Sequence, residues 1–459
     1  MFLQSKLLRI VPVPLSIHPK FLIPHFLIVV ALSFLTWCNS SNYASFHDII
    51  CHHIVRMIQF REELVPIMNT ESRIRSIDVG SFPLDADLEK YLQGALEVER
   101  RGGSMGTENA GYFISKHNST FERKAAALGH DVAVTSYAQC RGMIDQFLLP
   151  VIRHVTGLTH QQTSIHSSFG DITKEDAQAV AVAIATGNEP LSSDDFRFAE
   201  IIALETGAEE LSKRLGVKGI SYKACVTGPL ELSLNLQRLA GFSRKYDEKL
   251  VEYFTEVVKA FVSNAVVTSN YLVPEVVTMD EPAYGLEGFG DFFTDTSSDP
   301  HSEHLISCWN EIYKNVPSDC YRGIHLHASP FENSFNADWN LLEAHVGVYV
   351  KRQWLEDYDK FIRAAIVRTE GPVIDQNDDA KDAWQDILSG NYEKYLQTKS
   401  EMEHHLQETI NRYGIERVPF AGPECGFGPW DWKHGLSMAT EILVRMNQVI
   451  DENLRHHPH

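Results

Sequence analysis

Two histidines separated by one residue are the first candidates for chemistry in this chain. His325 and His327 lie in the segment GIHLHAS (323–329), where they alternate with apolar residues. Side chains two residues apart on a strand point to the same face, so the two imidazoles face one side together. Two neutral imidazoles in this arrangement can chelate a metal ion. An isolated pair also fits two histidines bonded to backbone carbonyls, so other residues must decide.

Cys425 is the third candidate, in the segment GPECG (422–426). Its thiolate would complete three ligands of a tetrahedral zinc site and leave one position open. Taken alone, the same cysteine fits a small buried apolar residue. The chain has 7 cysteines and no CxxC spacing, so the sequence predicts reduced thiols and neither a disulfide framework nor a zinc finger.

Short apolar runs alternate with longer amphipathic segments from residue 72 onward, which predicts a parallel sheet with crossover helices. The predicted helices include 174–187, 195–215 and 246–272. This alternation predicts the α/β class and a (β/α)8 TIM barrel with insertions. The predicted strands are 73–82, 131–137, 219–229, 274–282, 322–329, 345–351 and 417–426.

Polar residues and glycines occur at the ends of several predicted strands. Active sites of (β/α)8 barrels lie at the carboxyl ends of their strands, on the loops that follow. We therefore expect these residues to converge on one mouth of the barrel, together with the two histidines. They are Gly80, Ser81, Thr227, Gly228, Asp280, Glu281, Glu424 and Cys425.

The first 67 residues differ from the rest of the chain. They contain an apolar run, FLIPHFLIVVALSFLTW (21–37), preceded by Lys6, Arg9 and Lys20. This pattern is typical of an export signal or a marginal membrane anchor, and a start of translation at Met68 would explain it equally well. We predict an N-terminal extension (1–67) and a barrel domain (68–459).

The formal net charge of −20 and the pI near 5.5 describe an acidic protein. Phosphate binding requires clustered Lys and Arg, so the composition argues against a nucleic-acid partner. A membrane partner is expected only if the extension is part of the working protein. The composition predicts a cytoplasmic enzyme.

Five short motifs occur together in an ordered set: VGSFP (79–83), VTGP (226–229), MDEPA (279–283), the histidine pair and GPECG. In order and approximate spacing, residues 72–440 resemble the catalytic barrel of cobalamin-independent methionine synthase. The chain is similar to a short, single-barrel form of that family. The wider group of such barrels includes uroporphyrinogen decarboxylase.

The resemblance implies a zinc cofactor and specific roles for residues. His325 and Cys425 match zinc ligands of the family, and Val79, Gly80 and Ser81 match the loop that holds the carboxylate of homocysteine. Asp280, which we also predict to be catalytic, matches the acid that binds the amino group of homocysteine. The implied partners are homocysteine or a similar thiol, with methyltetrahydrofolate or a methylcorrinoid as methyl donor.

The chain departs from the family pattern in two places. His327 occupies the position of a second cysteine, and a neutral ring in place of a thiolate makes the metal centre one charge more positive. The family's glutamate ligand has no counterpart near Val350, and Glu370 and Glu343 are the alternatives for a fourth ligand. We therefore assign only His325, His327 and Cys425 to the metal.

Three functions follow from these observations. The first is a zinc-dependent methyltransferase acting on a thiol. The second is a decarboxylase of the uroporphyrinogen type. Such an enzyme would need an arginine cluster near the first strand to hold the carboxylates of its substrate, and SIDVGSFP (76–83) contains no arginine. The third is a degenerate barrel that binds a small ligand without turnover.

Overall fold

The computed structural model describes most of the predicted barrel domain. The predicted N-terminal extension lies outside the described residues, as does most of the predicted strand 131–137. Among the described residues, no helix combines the length and the apolar character that crossing a bilayer requires. The described residues are 74–101, 107–129, 134–135, 143–156, 172–187, 196, 198–286, 293, 299–375, 379–428 and 430–455.

Eight strands form one parallel sheet in the order β1-β8-β7-β6-β5-β4-β3-β2. Each strand from β3 to β8 pairs with its neighbours in sequence, and β8 returns to pair with β1. This is the strand order of a (β/α)8 barrel, which confirms the predicted fold class. The strands are β1 (Arg75–Ser76), β2 (Val134–Thr135), β3 (Ile220–Thr227), β4 (Leu272–Asp280), β5 (Tyr321–Leu326), β6 (Leu341–Ala344), β7 (Phe361–Val367) and β8 (Phe420–Pro423).

Helices connect the strands, and their apolar faces pack with the sheet in one large core. Side-chain caps set several helix starts, as at Thr398, where a capping box with Glu401 satisfies the first backbone N–H groups. The helices are α1 (Leu88–Arg101), α2 (Glu108–Ala127), α3 (Met143–Thr156), α4 (Lys174–Ala185), α5 (Ala199–Leu215), α6 (Pro229–Leu239), α7 (Glu248–Ala265), α8 (Pro300–Tyr313), α9 (Arg352–Asp357), α10 (Ala380–Ser389), α11 (Lys399–Tyr413) and α12 (Gly435–Arg455).

Two of the predicted elements are wrong in position. The predicted strand 345–351 is a loop, in which Gly347 adopts a positive φ of 83°, and the strand lies just before it at β6. The sequence analysis also missed β7. The predicted helix 246–272 ends at Ala265, because residues from Leu272 onward form β4.

Side chains fill the barrel interior in layers. The lowest layer is apolar and contains residues at the starts of several strands. The layer above it is charged: Lys223 Nζ on β3 lies 2.6 Å from Glu343 Oε2 on β6, which places this ion pair across the interior. Thr278 on β4 donates a hydrogen bond of 2.7 Å to the other Glu343 oxygen. The apolar layer consists of Ile77, Val276, Tyr321, Leu341, Phe361 and Phe420.

Candidate metal centre

Four potential metal ligands meet at the carboxyl end of the barrel. They are His325, His327, His345 and Cys425, and one ligand atom from each lies within 4.8 Å of the others. The structure thus brings together the three residues that the sequence analysis assigned to a metal. It adds a fourth, His345, which the sequence analysis missed.

Strand pairing explains why these histidines meet. His325 on β5 pairs with Glu343 on β6, so the residues two further along each chain, His327 and His345, also come side by side. The ring centroids of His327 and His345 are 4.1 Å apart, and those of His325 and His327 are 5.3 Å apart. The parallel register therefore assembles three imidazoles from two neighbouring strands.

The sequence did contain a signal for His345. Glu343 and His345 alternate with apolar residues from β6 onward, just as His325 and His327 alternate with apolar residues along β5. The expectation of a strand at 345–351 concealed this signal, because it placed the strand end near Val350. With β6 ending at Ala344, His345 is the first residue of the loop at the mouth.

Neither glutamate considered as a fourth ligand belongs to this group. Glu343 is fully buried one layer below, where its two carboxylate oxygens bond to Lys223 and Thr278. Glu370 is an exposed residue of the loop after β7. Three imidazoles and one thiol are therefore the members of this group.

Unsatisfied polar atoms support metal binding here. His325 is 1% exposed, and among the described residues neither of its ring nitrogens has a hydrogen-bond partner. The Nε2 atom of His345 also lacks one. Buried polar groups without partners are uncommon and costly, and a metal ion would satisfy them. Imidazole nitrogen and thiolate sulfur are the ligands that tetrahedral zinc prefers, so the residues present fit zinc.

Burial sets the protonation states of the four side chains. It lowers the pKa of His327 and of His345 to about 4 and the pKa of His325 well below its usual value. Burial also raises the pKa of the Cys425 thiol to about 12. At neutral pH the imidazoles are therefore neutral and ready to bind a metal, whereas the thiol must first lose its proton.

These pKa values predict the proton balance of metal binding. Between about pH 5 and 8 the histidines have no proton to lose and Cys425 has one, so each zinc ion bound should release one proton. The zinc affinity should then rise about tenfold per pH unit, because a released proton favours binding at higher pH. Calorimetry in buffers of different ionisation enthalpy measures the number of protons released. Release of two or more would contradict the neutral state of the histidines.

The predicted carboxylate-binding loop, Val79–Ser81, lies after β1. Lys124 of α2 is fully buried, and its Nζ lies 2.5 Å from Asp78 Oδ2 and 3.1 Å from the carbonyl oxygen of Gly80. The Ser81 hydroxyl accepts a hydrogen bond of 3.1 Å from Gly428 N–H in the loop that carries Cys425. The loop is thus fixed on one side by a buried ion pair and on the other by the metal-site loop.

Asp280 and Glu281 have different environments although they are adjacent. Among the described residues the Asp280 Oδ1 atom lacks a hydrogen-bond partner, and burial, aided by Glu231, raises the pKa of this carboxyl to about 8. The Glu281 carboxylate is saturated, since it accepts bonds from the N–H groups of Leu230 and Glu231 and from Trp309 Nε1. Asp280 is therefore available to a ligand, whereas Glu281 ties the start of α6 to the barrel rim.

Solved structures with a similar fold include methionine synthases and a methyltransferase. No family profile and no curated protein matches the chain. A B12-independent methionine synthase from Shewanella sp. W3-18-1, in complex with selenomethionine, is 12% identical with a TM-score of 0.45, and covers 84% of this chain and 100% of its own. A methyltransferase from Methanosarcina mazei is 12% identical with a TM-score of 0.47, and covers 84% and 95%.

A putative vitamin-B12 independent methionine synthase from Listeria monocytogenes is 11% identical with a TM-score of 0.41, and covers 84% of this chain and 99% of its own. Two of these three structures carry the family name that the sequence motifs resemble. At such values a similarity does not identify an activity, which has to be argued from the site.

Proposed function

We propose that the protein is a zinc-dependent methyltransferase whose acceptor is a thiol, homocysteine or a similar amino-acid thiol. The observation that carries this proposal is the group of three imidazoles and one thiol at the carboxyl end of the barrel. Alkylation of a thiol at neutral pH requires the thiolate, and a free thiol is mostly protonated there. Bound zinc would lower the pKa of the acceptor thiol, so that its proton is lost to solvent and the sulfur is held as a thiolate.

The zinc would be held by His325, His327, His345 and Cys425. Four protein donors satisfy a tetrahedral ion, so an acceptor sulfur needs either a fifth position or the place of one donor. His325 is buried, whereas the other three are partly exposed. The accessible side of the site is therefore the side of those three residues.

The chain offers groups for the rest of an amino-acid acceptor. We assign the ammonium group to Asp280, whose Oδ1 lacks a hydrogen-bond partner among the described residues. Burial raises the pKa of this carboxyl to about 8, and the positive charge of a bound ammonium group would lower that pKa, so Asp280 would be ionised in the complex. The acceptor's carboxylate is assigned to the loop of Val79, Gly80 and Ser81, through backbone N–H groups and the hydroxyl. Since Gly428 N–H donates to the Ser81 oxygen, the Ser81 hydrogen remains for the substrate.

The methyl donor is methyltetrahydrofolate or a methylcorrinoid. The two differ in proton demand: a folate nitrogen has to be protonated as it leaves, whereas a corrinoid needs no acid. Assays with both donors and homocysteine therefore identify the donor class directly.

The first experiment is elemental analysis of the purified full-length chain. About one zinc per chain, lost in His325→Ala and in Cys425→Ala, together with transfer of a labelled methyl group to homocysteine, supports the proposal. Zinc without methyl transfer favours a degenerate ligand-binding barrel. Failure of the parent chain to bind supplied zinc contradicts the proposal and favours a metal-free reaction.

A metal-free decarboxylase on the same fold is the alternative enzyme. It would require free cations to hold the carboxylates of its substrate. The four buried lysine and arginine side chains of the described barrel residues are engaged instead. Lys124 pairs with Asp78 and Lys223 with Glu343, and Lys360 and Arg363 each bond backbone carbonyls. Chemical analysis of product formation from a polycarboxylate substrate tests this alternative.

The Asp280→Asn variant tests the ammonium assignment. Loss of a charge-assisted hydrogen bond of about 1.5–3 kcal/mol should lower kcat/KM for homocysteine about 10- to 100-fold. A thiol acceptor without an amino group, 4-mercaptobutanoate, should react at the same rate with both forms of the protein. Steady-state kinetics with the two acceptors measures this difference. An equal loss for both acceptors would argue that Asp280 does not bind the ammonium group.

We also propose a cytoplasmic location. The cysteines of the described residues, Cys225, Cys308, Cys320 and Cys425, are all free thiols. Thiols and thiolate ligands persist most readily in a reducing compartment. Fractionation of cells that express the full chain tests this proposal.

A further inference from the structure

Arg363 lies in the barrel interior directly beneath the candidate metal centre. It belongs to β7, and its side chain is 1% exposed. Its Nη1 donates to the carbonyl oxygen of Pro423, and its Nη2 lies 3.4 Å from the carbonyl oxygen of Glu424. These two carbonyls belong to the residues that immediately precede Cys425. The planar guanidinium of Arg363 therefore holds the backbone that positions Cys425, the one thiol of the four-residue group.

The local chain is shaped for this contact. Gly422 allows the close approach, since a Cβ atom there would lie 3.1 Å from Arg363 Nη1 and 2.2 Å from the carbonyl oxygen of Ile77. The Arg363 Nε atom lies 3.8 Å from Glu343 Oε2, which is already paired with Lys223. The charged layer of Lys223, Glu343 and Arg363 thus contains two cations and one anion, and the cation nearer the Cys425 loop is Arg363.

We infer that Arg363 is a positioning residue for the metal site, which fixes the Pro423–Cys425 backbone so that the Cys425 sulfur meets the three imidazoles. The inference rests on the proposed function, because it assumes that the four residues bind zinc. A fork of N–H donors in one plane can hold two successive carbonyls, which a lysine ammonium cannot do with the same geometry. Loosening this backbone should weaken the bond between the metal and Cys425 more than the bonds to the histidines.

Two variants and a matched control test the inference. Arg363→Met removes the fork and the charge, and Arg363→Lys retains the charge alone. The control is Lys360→Met, because Lys360, the residue just before β7, is also a buried cation that bonds two backbone carbonyls, those of Ala337 and Trp339, and neither carbonyl belongs to the Cys425 loop. Circular dichroism and thermal melting establish that each full-length variant is folded.

Zinc affinity is measured by competition with a chromophoric chelator, and the metal–sulfur bond by the thiolate-to-cobalt absorption band of the Co²⁺-loaded protein. Arg363→Met should bind zinc about 10- to 100-fold more weakly than the parent, the range found for residues that orient metal ligands. The cobalt band should shift or weaken, Arg363→Lys should lie between the parent and Arg363→Met, and Lys360→Met should match the parent in both measurements.

The possible failures are distinct. A parent chain that binds no zinc overturns the proposed function. A parent that binds zinc, with Arg363 variants that match it within about twofold and keep its cobalt spectrum, overturns the inference alone. If Arg363→Met does not fold, Arg363→Lys decides by the same two measurements. A Lys360→Met variant that loses zinc to the same extent would show that the effect is general destabilisation and would also overturn the inference.

Discussion

Replacing His345 with alanine should lower the zinc affinity of the protein by on the order of 100-fold or more. Zinc bound by four protein ligands contributes about 10–16 kcal/mol, so one ligand accounts for about 3 kcal/mol, and each 1.4 kcal/mol is a factor of ten. The His345 ring lies 4.1 Å from that of His327, and its Nε2 has no other partner among the described residues. Chelator competition on the full-length chain measures the change.

Glu370→Gln is the matched control for His345→Ala. Glu370 was one of the two alternatives for a fourth ligand from sequence, and it is an exposed residue outside the four-residue group. Its substitution should leave zinc affinity unchanged. The reverse pattern, loss in Glu370→Gln and retention in His345→Ala, would show that the loop after β7 supplies the ligand and that the assignment of His345 is wrong.

Replacing Lys223 with methionine should destabilise the protein by about 3–5 kcal/mol, the cost of leaving one member of a buried ion pair without its partner. Both side chains of the Lys223–Glu343 pair are fully buried, and Lys223 also donates to the carbonyl oxygen of Asp78. Burial opposes ionisation of Glu343, but Lys223 and Arg363 together hold the pKa of this carboxyl below its usual value. Without Lys223, a buried carboxylate would remain with weaker compensation.

Urea unfolding with linear extrapolation measures the free energy of unfolding of the parent and the variant. The control is Lys213→Met, which removes an exposed lysine whose Nζ lies 2.7 Å from Glu209 Oε1 on the surface of α5. Exposed pairs contribute about 0–1 kcal/mol, so the control should unfold almost as the parent does. Equal losses in the two variants would mean that the interior ion pair contributes no more than a surface pair.

The sequence was sufficient for the fold class and for three members of the ligand group. His325, His327 and Cys425 could be predicted because period-2 alternation and the position after a strand decide where such side chains point. The strand order followed from the alternation of strands and helices. None of this required knowledge of contacts between distant residues.

His345, the fourth member, was missed because local patterns around β6 conflict. The residues after Ala344, VGVYV (346–350), alternate like a strand, yet Gly347 at φ 83° turns the chain there. The strand β7 was missed because Arg363 interrupts its apolar run. That arginine is tolerated because it meets Glu343 and two carbonyls across the interior, and such pairing is invisible in one sequence.

The apolar layer at the start of the strands determines from which end of the barrel small molecules reach the interior. Tyr321, Phe361, Phe420 and their neighbours close the amino end of the barrel interior, and the Arg75 guanidinium stacks 4.7 Å from the ring centroid of Phe420. In the part of the barrel that the structure describes, molecules therefore reach Cys425 from the carboxyl end. Under the proposed function both substrates would use this route, and the acceptor thiol, which has to reach the metal site, would lie beneath the methyl donor.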